Sequence, residues 1–311
     1  MTPIERRLRE LPVVRDLVAG RRLARAHRST GYVMRHPPGH YASPIPALNE
    51  IRAREDEIFD RPETIPAIDV RSAAQLALVR EFAPRYADQP FGAEARDGLR
   101  YHLKNQWFSY SDGLMLHCML RWLAPKRLIE VGSGYSSAAI LDTNDRFLDG
   151  RVACTFIEPN ASRLHGLLRD GDARDHRVIE QPVQRVPLEV FDELDAGDVL
   201  FVDSSHVSKA GSDVNRLVFD VLPRLRPGVV VHFHDIAWPF EYPRQWIYGG
   251  RAFNEAYLLH AFLMFNPDFE IVLFNSYLAE FHRDEVAHSL PLWAEEVGGS
   301  LWLRRTGNAD S

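Results

Sequence analysis

From Arg127 onward the chain alternates short apolar runs with amphipathic stretches. The runs are RLIEV (127–131), VACTFIE (152–158), a weaker one in HRVIEQ (176–181), DVLFVD (198–203) and GVVVHFHD (228–235). Between them, residues 136–147, 161–169 and 211–225 repeat their apolar positions at helical spacing. Near-continuous apolar strands separated by helices predict a parallel sheet covered on both faces, which is a doubly wound α/β domain. Two more apolar segments, FEIVLFN (269–275) and SLWLRR (300–305), suit a closing pair of strands. Such sheets bind ligands beyond the carboxyl ends of their strands, so chemistry is expected in the loops that follow the runs.

The first hundred residues have a different texture. Ile4, Leu8, Leu11, Val14, Leu17 and Val18 recur at helical spacing before Gly20, which predicts a helix or helix pair over residues 4–26. Pro37, Pro38, Pro44, Pro46, Pro62 and Pro66 then interrupt the chain too often for long elements. Residues 1–100 are read as a helical arm and proline-rich wrap, and residues 101–311 as the α/β domain with an aromatic insertion at about 238–266. Helical patterns return at 72–86 and 111–122.

Composition changes this picture little. The 311 residues are 45% hydrophobic and 26% charged, an ordinary globular balance. No run approaches the ~20 apolar residues of a membrane-spanning helix, and the charged first residues do not read as a secretory signal. A cytoplasmic protein is expected. Cys118 and Cys154 have no partners at zinc-site spacing and read as buried thiols. The net charge of -6 gives no reason to expect a nucleic-acid partner. Nine arginines against Glu5, Glu10 and Asp16 nevertheless make residues 1–36 basic, which suits either a solvated helix or contact with an anionic surface. Arginine far outnumbers lysine, which occurs only at Lys104, Lys126 and Lys209, a bias expected of a GC-rich bacterial genome.

The loop after the first strand reads Glu130-Val131-Gly132-Ser133-Gly134-Tyr135-Ser136-Ser137. Glycines at this turn let the backbone approach a ligand, and the next helix offers free amide donors. The third glycine of a dinucleotide fingerprint is replaced by Ser137. Glu158 closes the second strand, where a carboxylate can accept both hydroxyls of a ribose or cap the helix that Pro159 opens. Asp203 closes the fourth strand and Asp235 the fifth, and the two can hold a magnesium ion. On a strand His232 and His234 share a face, so the pattern leaves open which of them reaches a pocket.

Taken in order, EVGSG, Glu158, Asp203 and the closing strand pair resemble the class I S-adenosylmethionine-dependent methyltransferases, over about residues 105–305. The resemblance implies a Rossmann-like seven-stranded sheet of order 3-2-1-4-5-7-6. It implies that Glu130, Gly132, Ser133, Gly134 and Tyr135 cradle the methionine part of S-adenosylmethionine, and that Glu158 holds its ribose. Tyr110 and Ser111 precede the first strand, in a region that borders the methionine end in that fold. VDSSH (202–206) with HFHD (232–235) is similar to a subgroup of small-molecule O-methyltransferases that includes sugar-modifying enzymes. There a histidine or lysine three residues after the strand-four Asp serves as base, which points to His206 working beside Asp203. Many metal-dependent relatives carry an acid or amide directly after the strand-five Asp, whereas Ile236 stands here.

The chemistry is compatible: a sulfonium donor is already activated, so alignment of the acceptor and removal of a proton are what remain. The insertion 238–257 mixes aromatic rings with Glu241, Arg244, Arg251 and Asn254, which suits a saccharide or polar aromatic acceptor, plain packing or a homo-oligomer contact. Two other functions stay open at this stage. One is a nicotinamide-dependent oxidoreductase on a similar sheet, and the other a non-catalytic scaffold with a degenerate cofactor pocket.

Overall fold

The structure is a computed structural model that describes residues 35–307 together with residues 17, 20, 21, 24 and 25. Most of the expected helix over 4–26, and most of the basic segment 1–36, lies outside the described residues. Contacts divide the chain into two units, residues 1–55 and residues 56–311. In the first unit a loop closed by the Gly39 N–H on the Ile45 carbonyl (2.9 Å) precedes a short helix, Leu48–Ala53, that buries none of its side chains.

In the second unit seven strands form one sheet in the order β3-β2-β1-β4-β5-β7-β6. They are β1 (Arg127–Val131), β2 (Ala153–Ile157), β3 (Arg177–Ile179), β4 (Val199–Val202), β5 (Val230–Phe233), β6 (Phe269–Phe274) and β7 (Leu301–Arg305). The first five run parallel, and β7 lies antiparallel between β5 and β6. Every residue of β4 and β5 is buried, as their unbroken apolar runs require of strands covered on both faces. The strand order reverses direction between β1 and β4, which places the switch point beside the glycine turn.

Three helices set the frame around that point: α1 (Ser72–Ala87), α2 (Tyr110–Leu123) and α3 (Tyr135–Phe147). Residues 111–120 of α2 are all buried, because α1 and α3 both pack against it. Residues 56–100 pack with the sheet unit, and the Gln75 side chain of α1 accepts the Phe274 N–H of β6 at 2.7 Å. The interval 211–225 is helical from Asp213 to Arg224 but includes a π turn over Arg216–Val221. The aromatic insertion is partly core: Trp238, Phe240 and Tyr242 are buried. It continues through a short helix, Arg244–Tyr248, into α4 (Glu255–Leu263). Among the described residues no helix is long and apolar enough to cross a membrane.

Candidate active site

A cavity of about 1190 Å³ opens beyond the carboxyl ends of β1, β4 and β5. Its first wall is the turn after β1. Gly132 has φ +89°, and a Cβ on it would lie 1.7 Å from the Asp203 carbonyl oxygen, so only glycine fits this crossing. The Ser133 N–H donates to Glu158 Oε2 (3.2 Å), tying the turn to the end of β2, while Glu158 Oε1 accepts the Asn160 N–H (2.8 Å). Beneath the turn, the Gly134 N–H donates to Ser137 Oγ (2.9 Å), whose hydroxyl donates in turn to the buried Glu130. Ser137, which breaks the dinucleotide fingerprint, is thus a strut between turn and carboxylate. Gly132, Ser133, Gly134, Tyr135 and Glu158 line the cavity, and Glu130 lies behind the wall they form.

Burial pushes the Glu130 carboxyl up to about 8, against hydrogen bonds from Ser136, Ser137 and Ser133. The folded protein therefore keeps a proton there that the unfolded chain loses near 4.5. That stabilisation is complete below the unfolded value and is lost as pH rises to about 8. Melting temperature is expected to fall across this window in the wild type and to fall less steeply in Glu130→Gln. Parallel slopes in a pH series of thermal melts would place the titration elsewhere.

The second wall joins the ends of β4 and β5. Asp203 and Asp235 face each other across two imidazoles. His206 Nε2 lies 3.4 Å from Asp203 Oδ1 and 3.6 Å from Asp235 Oδ2, and His234 Nδ1 lies 3.3 Å and 3.6 Å from Oδ1 of the same two residues. Each imidazole is backed by a further buried carboxylate: Glu255 Oε2 is 2.9 Å from His206 Nδ1, and Asp112 Oδ2 is 3.2 Å from His234 Nε2. His206 and Asp235 both have positive φ, 58° and 60°. The backbone of His206 is gripped by the start of α4, because its carbonyl accepts the N–H groups of Asn254 (3.0 Å) and Glu255 (3.2 Å).

Charge follows from this packing. Burial alone would lower the His206 pKa, but hydrogen bonds and charges from Asp203 and Glu255 raise it to about 10. His234 is likewise raised, burial being outweighed by Asp203 and Asp235. Asp203 sits well below the usual carboxylate range, since His234 and His206 overcome the opposing effect of burial. His232 goes the other way: burial lowers it, and its ring stacks on Phe201 behind the site with Nε2 2.9 Å from Ser300 Oγ. Of the two strand-five histidines, His234 reaches the cavity.

Tyr110 and Ser111 do not line the cavity, although Ser109 and Asp112 of the same turn do. Ser111 points inward, where its Oγ accepts the Gly298 N–H at 2.7 Å. Among the described residues no three His, Cys, Asp or Glu side chains are placed to hold a metal ion. Asp203 and Asp235, the pair expected to take magnesium, have imidazoles rather than oxygen donors between them, and no step is assigned to a metal.

Several residues at the site carry no sequence signal of their own. Glu255 opens a helix 49 positions from His206, and Asp112 lies inside the apolar pattern of α2. Trp107 and Arg163, stacked at 4.1 Å, line the cavity on the side of the glycine turn. Gly298 and Gly299 pass so close to Asp112 and Asp235 that a side chain on either would collide with them.

A doubly wound sheet of this order, with a glycine turn and an acid at adjacent strand ends on one side of a cavity and a carboxylate–histidine cluster on the other, defines a class I methyltransferase-type domain. The family model described as "Methyltransferase domain" matches residues 129–236. An uncharacterized protein of Archaeoglobus fulgidus is 35% identical over 167 residues, spanning 51% of this chain and 73% of that protein. The chain belongs to this methyltransferase-domain family. Among solved structures, the O-methyltransferase TomG from Streptomyces achromogenes, involved in tomaymycin synthesis and in complex with SAM, is 17% identical. The match covers 84% of this chain and 96% of that one, with a TM-score of 0.40. The SAH-bound methyltransferase PaMTH1 of Podospora anserina is 15% identical over 89% of this chain and 100% of that one, with a TM-score of 0.41.

Proposed function

We propose that the protein uses S-adenosylmethionine to methylate a hydroxyl of a small molecule or saccharide, with His206 as the base. The observation that carries this reading is one cavity lined both by the glycine turn with Glu158 and by Asp203, His206 and Asp235. Ser133 lines that cavity with its hydroxyl buried, which suits a polar ligand at the turn. When bound, the cofactor supplies an electrophilic methyl group. Gly132, Ser133 and Gly134 would cradle its methionine part, Glu130 would support that cradle from behind, and Glu158 would accept its ribose hydroxyls.

The remaining work falls to the cluster. Glu255 accepts the Nδ1 proton of His206, which leaves Nε2 as the atom that takes the acceptor's proton. Asp203 and Asp235 stabilise the imidazolium that results. Because that cation persists to about 10 in the free site, the basic form grows as pH rises, and an alkaline rate profile follows.

The test is calorimetry with S-adenosylhomocysteine and, separately, NADH. Saturable binding of the former is expected, and Glu158→Ala should weaken it by about 1–3 kcal/mol through loss of a charged acceptor. Binding of NADH alone would overturn the reading in favour of an oxidoreductase, and binding of neither would favour a scaffold.

A further inference from the structure

The cavity is unevenly charged, with Arg163 beside the glycine turn. At the strand ends it is lined by Asp203, Asp235 and Glu158, whereas the wall built by residues 59–61 and 243–253 carries Arg61, Arg244 and Arg251 among Phe59, Trp246 and Phe253. The guanidinium carbon of Arg251 lies 4.3 Å over the Trp246 ring. Stacking occupies the flat face of a guanidinium and leaves its in-plane N–H donors in a fork that matches a carboxylate or phosphate. Among the described residues Arg251 has no carboxylate within ion-pair distance, and the side chain of Arg61 makes one hydrogen bond, to the Trp238 carbonyl. Glu280 also lines the cavity and forms an ion pair with neither of them.

Spacing links this wall to the base. Phe253 is near both: its centroid is 5.1 Å from the His206 ring and 5.9 Å from the Arg251 guanidinium carbon. A ligand lying along Phe253 with a hydroxyl at His206 would present its opposite end to Arg251. The carboxylates around His206 would repel an anion placed there, so charge as well as distance fixes the orientation.

We propose that the acceptor is an anion, a ring bearing a hydroxyl at one end and a carboxylate or phosphate at the other, held through that anionic group by Arg251, with Arg61 lining the same cavity. This rests on the methyltransferase reading for the fate of the hydroxyl, but the anion site stands on its own geometry.

The probes are matched pairs, 4-hydroxybenzoate against 4-hydroxybenzamide and glucose 6-phosphate against glucose, titrated into the full chain with and without S-adenosylhomocysteine. At least one anion should bind ten-fold or more tightly than its neutral partner. Arg251→Gln should remove most of that preference and Arg61→Gln part of it, with S-adenosylhomocysteine affinity unchanged in both and melting temperature unchanged in Arg251→Gln. Equal binding within both pairs, or a preference that survives in both variants, would overturn the proposal. A preserved anion preference in a protein that fails to bind S-adenosylhomocysteine would instead sink the methyltransferase reading and leave the anion site intact.

Discussion

Replacing His206 with glutamine should slow methyl transfer by about 10²- to 10⁴-fold, the usual contribution of a positioned base, while leaving cofactor affinity within a factor of two or so. Glutamine keeps a polar group of similar reach between Asp203 and Glu255 but cannot accept a proton. The wild-type rate should climb with pH toward about 10, as the imidazolium that Asp203 and Glu255 stabilise is lost, and this limb should vanish in the variant. A bound sulfonium places another positive charge in the cavity and would shift the limb to lower pH. Single-turnover rates across pH decide the matter. A variant with full activity, or one that retains the alkaline limb, would remove His206 from the proton transfer and turn attention to Asp235.

Gly132→Ala is expected to cost on the order of 4 kcal/mol or more in folding stability, beyond the range of most single substitutions. The new methyl group would collide with the Asp203 carbonyl oxygen, and φ of +89° adds strain for any L side chain. Neither chain segment is free to retreat. The Gly132 N–H donates to the Ile157 carbonyl (3.0 Å), and the Asp203 N–H to the Val131 carbonyl (2.9 Å), so both are stitched into the sheet. Gly150→Ala is the control: its φ is +67°, but nothing lies within 4 Å of the added carbon, and only about 1–2 kcal/mol of backbone strain should appear. Urea denaturation of the two variants separates collision from strain, and equal losses would refute the collision.

The parallel strands were legible because burial on both faces writes itself as unbroken apolar runs, and glycines at the first strand end mark a close backbone crossing. The strand order 3-2-1-4-5-7-6 came from family resemblance, since apolar runs do not say which of them are neighbours. Side-chain direction was harder to read. Ser111 and Asp112 are adjacent in α2 and both approach Gly298, yet only Asp112 lines the cavity. Glu255 was invisible because its partner is 49 positions away, and an acid at a helix start ordinarily reads as a favourable charge on the dipole. The charge of His206 was missed for the same reason. An unperturbed imidazole is the natural expectation until the distant Glu255 is seen to close on it opposite Asp203.

The place of β7 has a consequence for how the protein is made. Because it lies between β5 and β6, β6 gains its strand partner only when residues 301–305 have been synthesised. Gly298 and Gly299, which precede that strand, dock against Asp112 and Asp235, and the Gly299 carbonyl accepts the Ile236 N–H at 2.8 Å. A nascent chain that has already translated the glycine turn, His206 and the carboxylates around it therefore still lacks the segment that docks against Asp112 and Asp235. Until that segment leaves the ribosome, β6 is an unpaired apolar edge and a hazard for aggregation. Completion of the sheet and closure of this wall of the cavity depend on the same segment, residues 298–305.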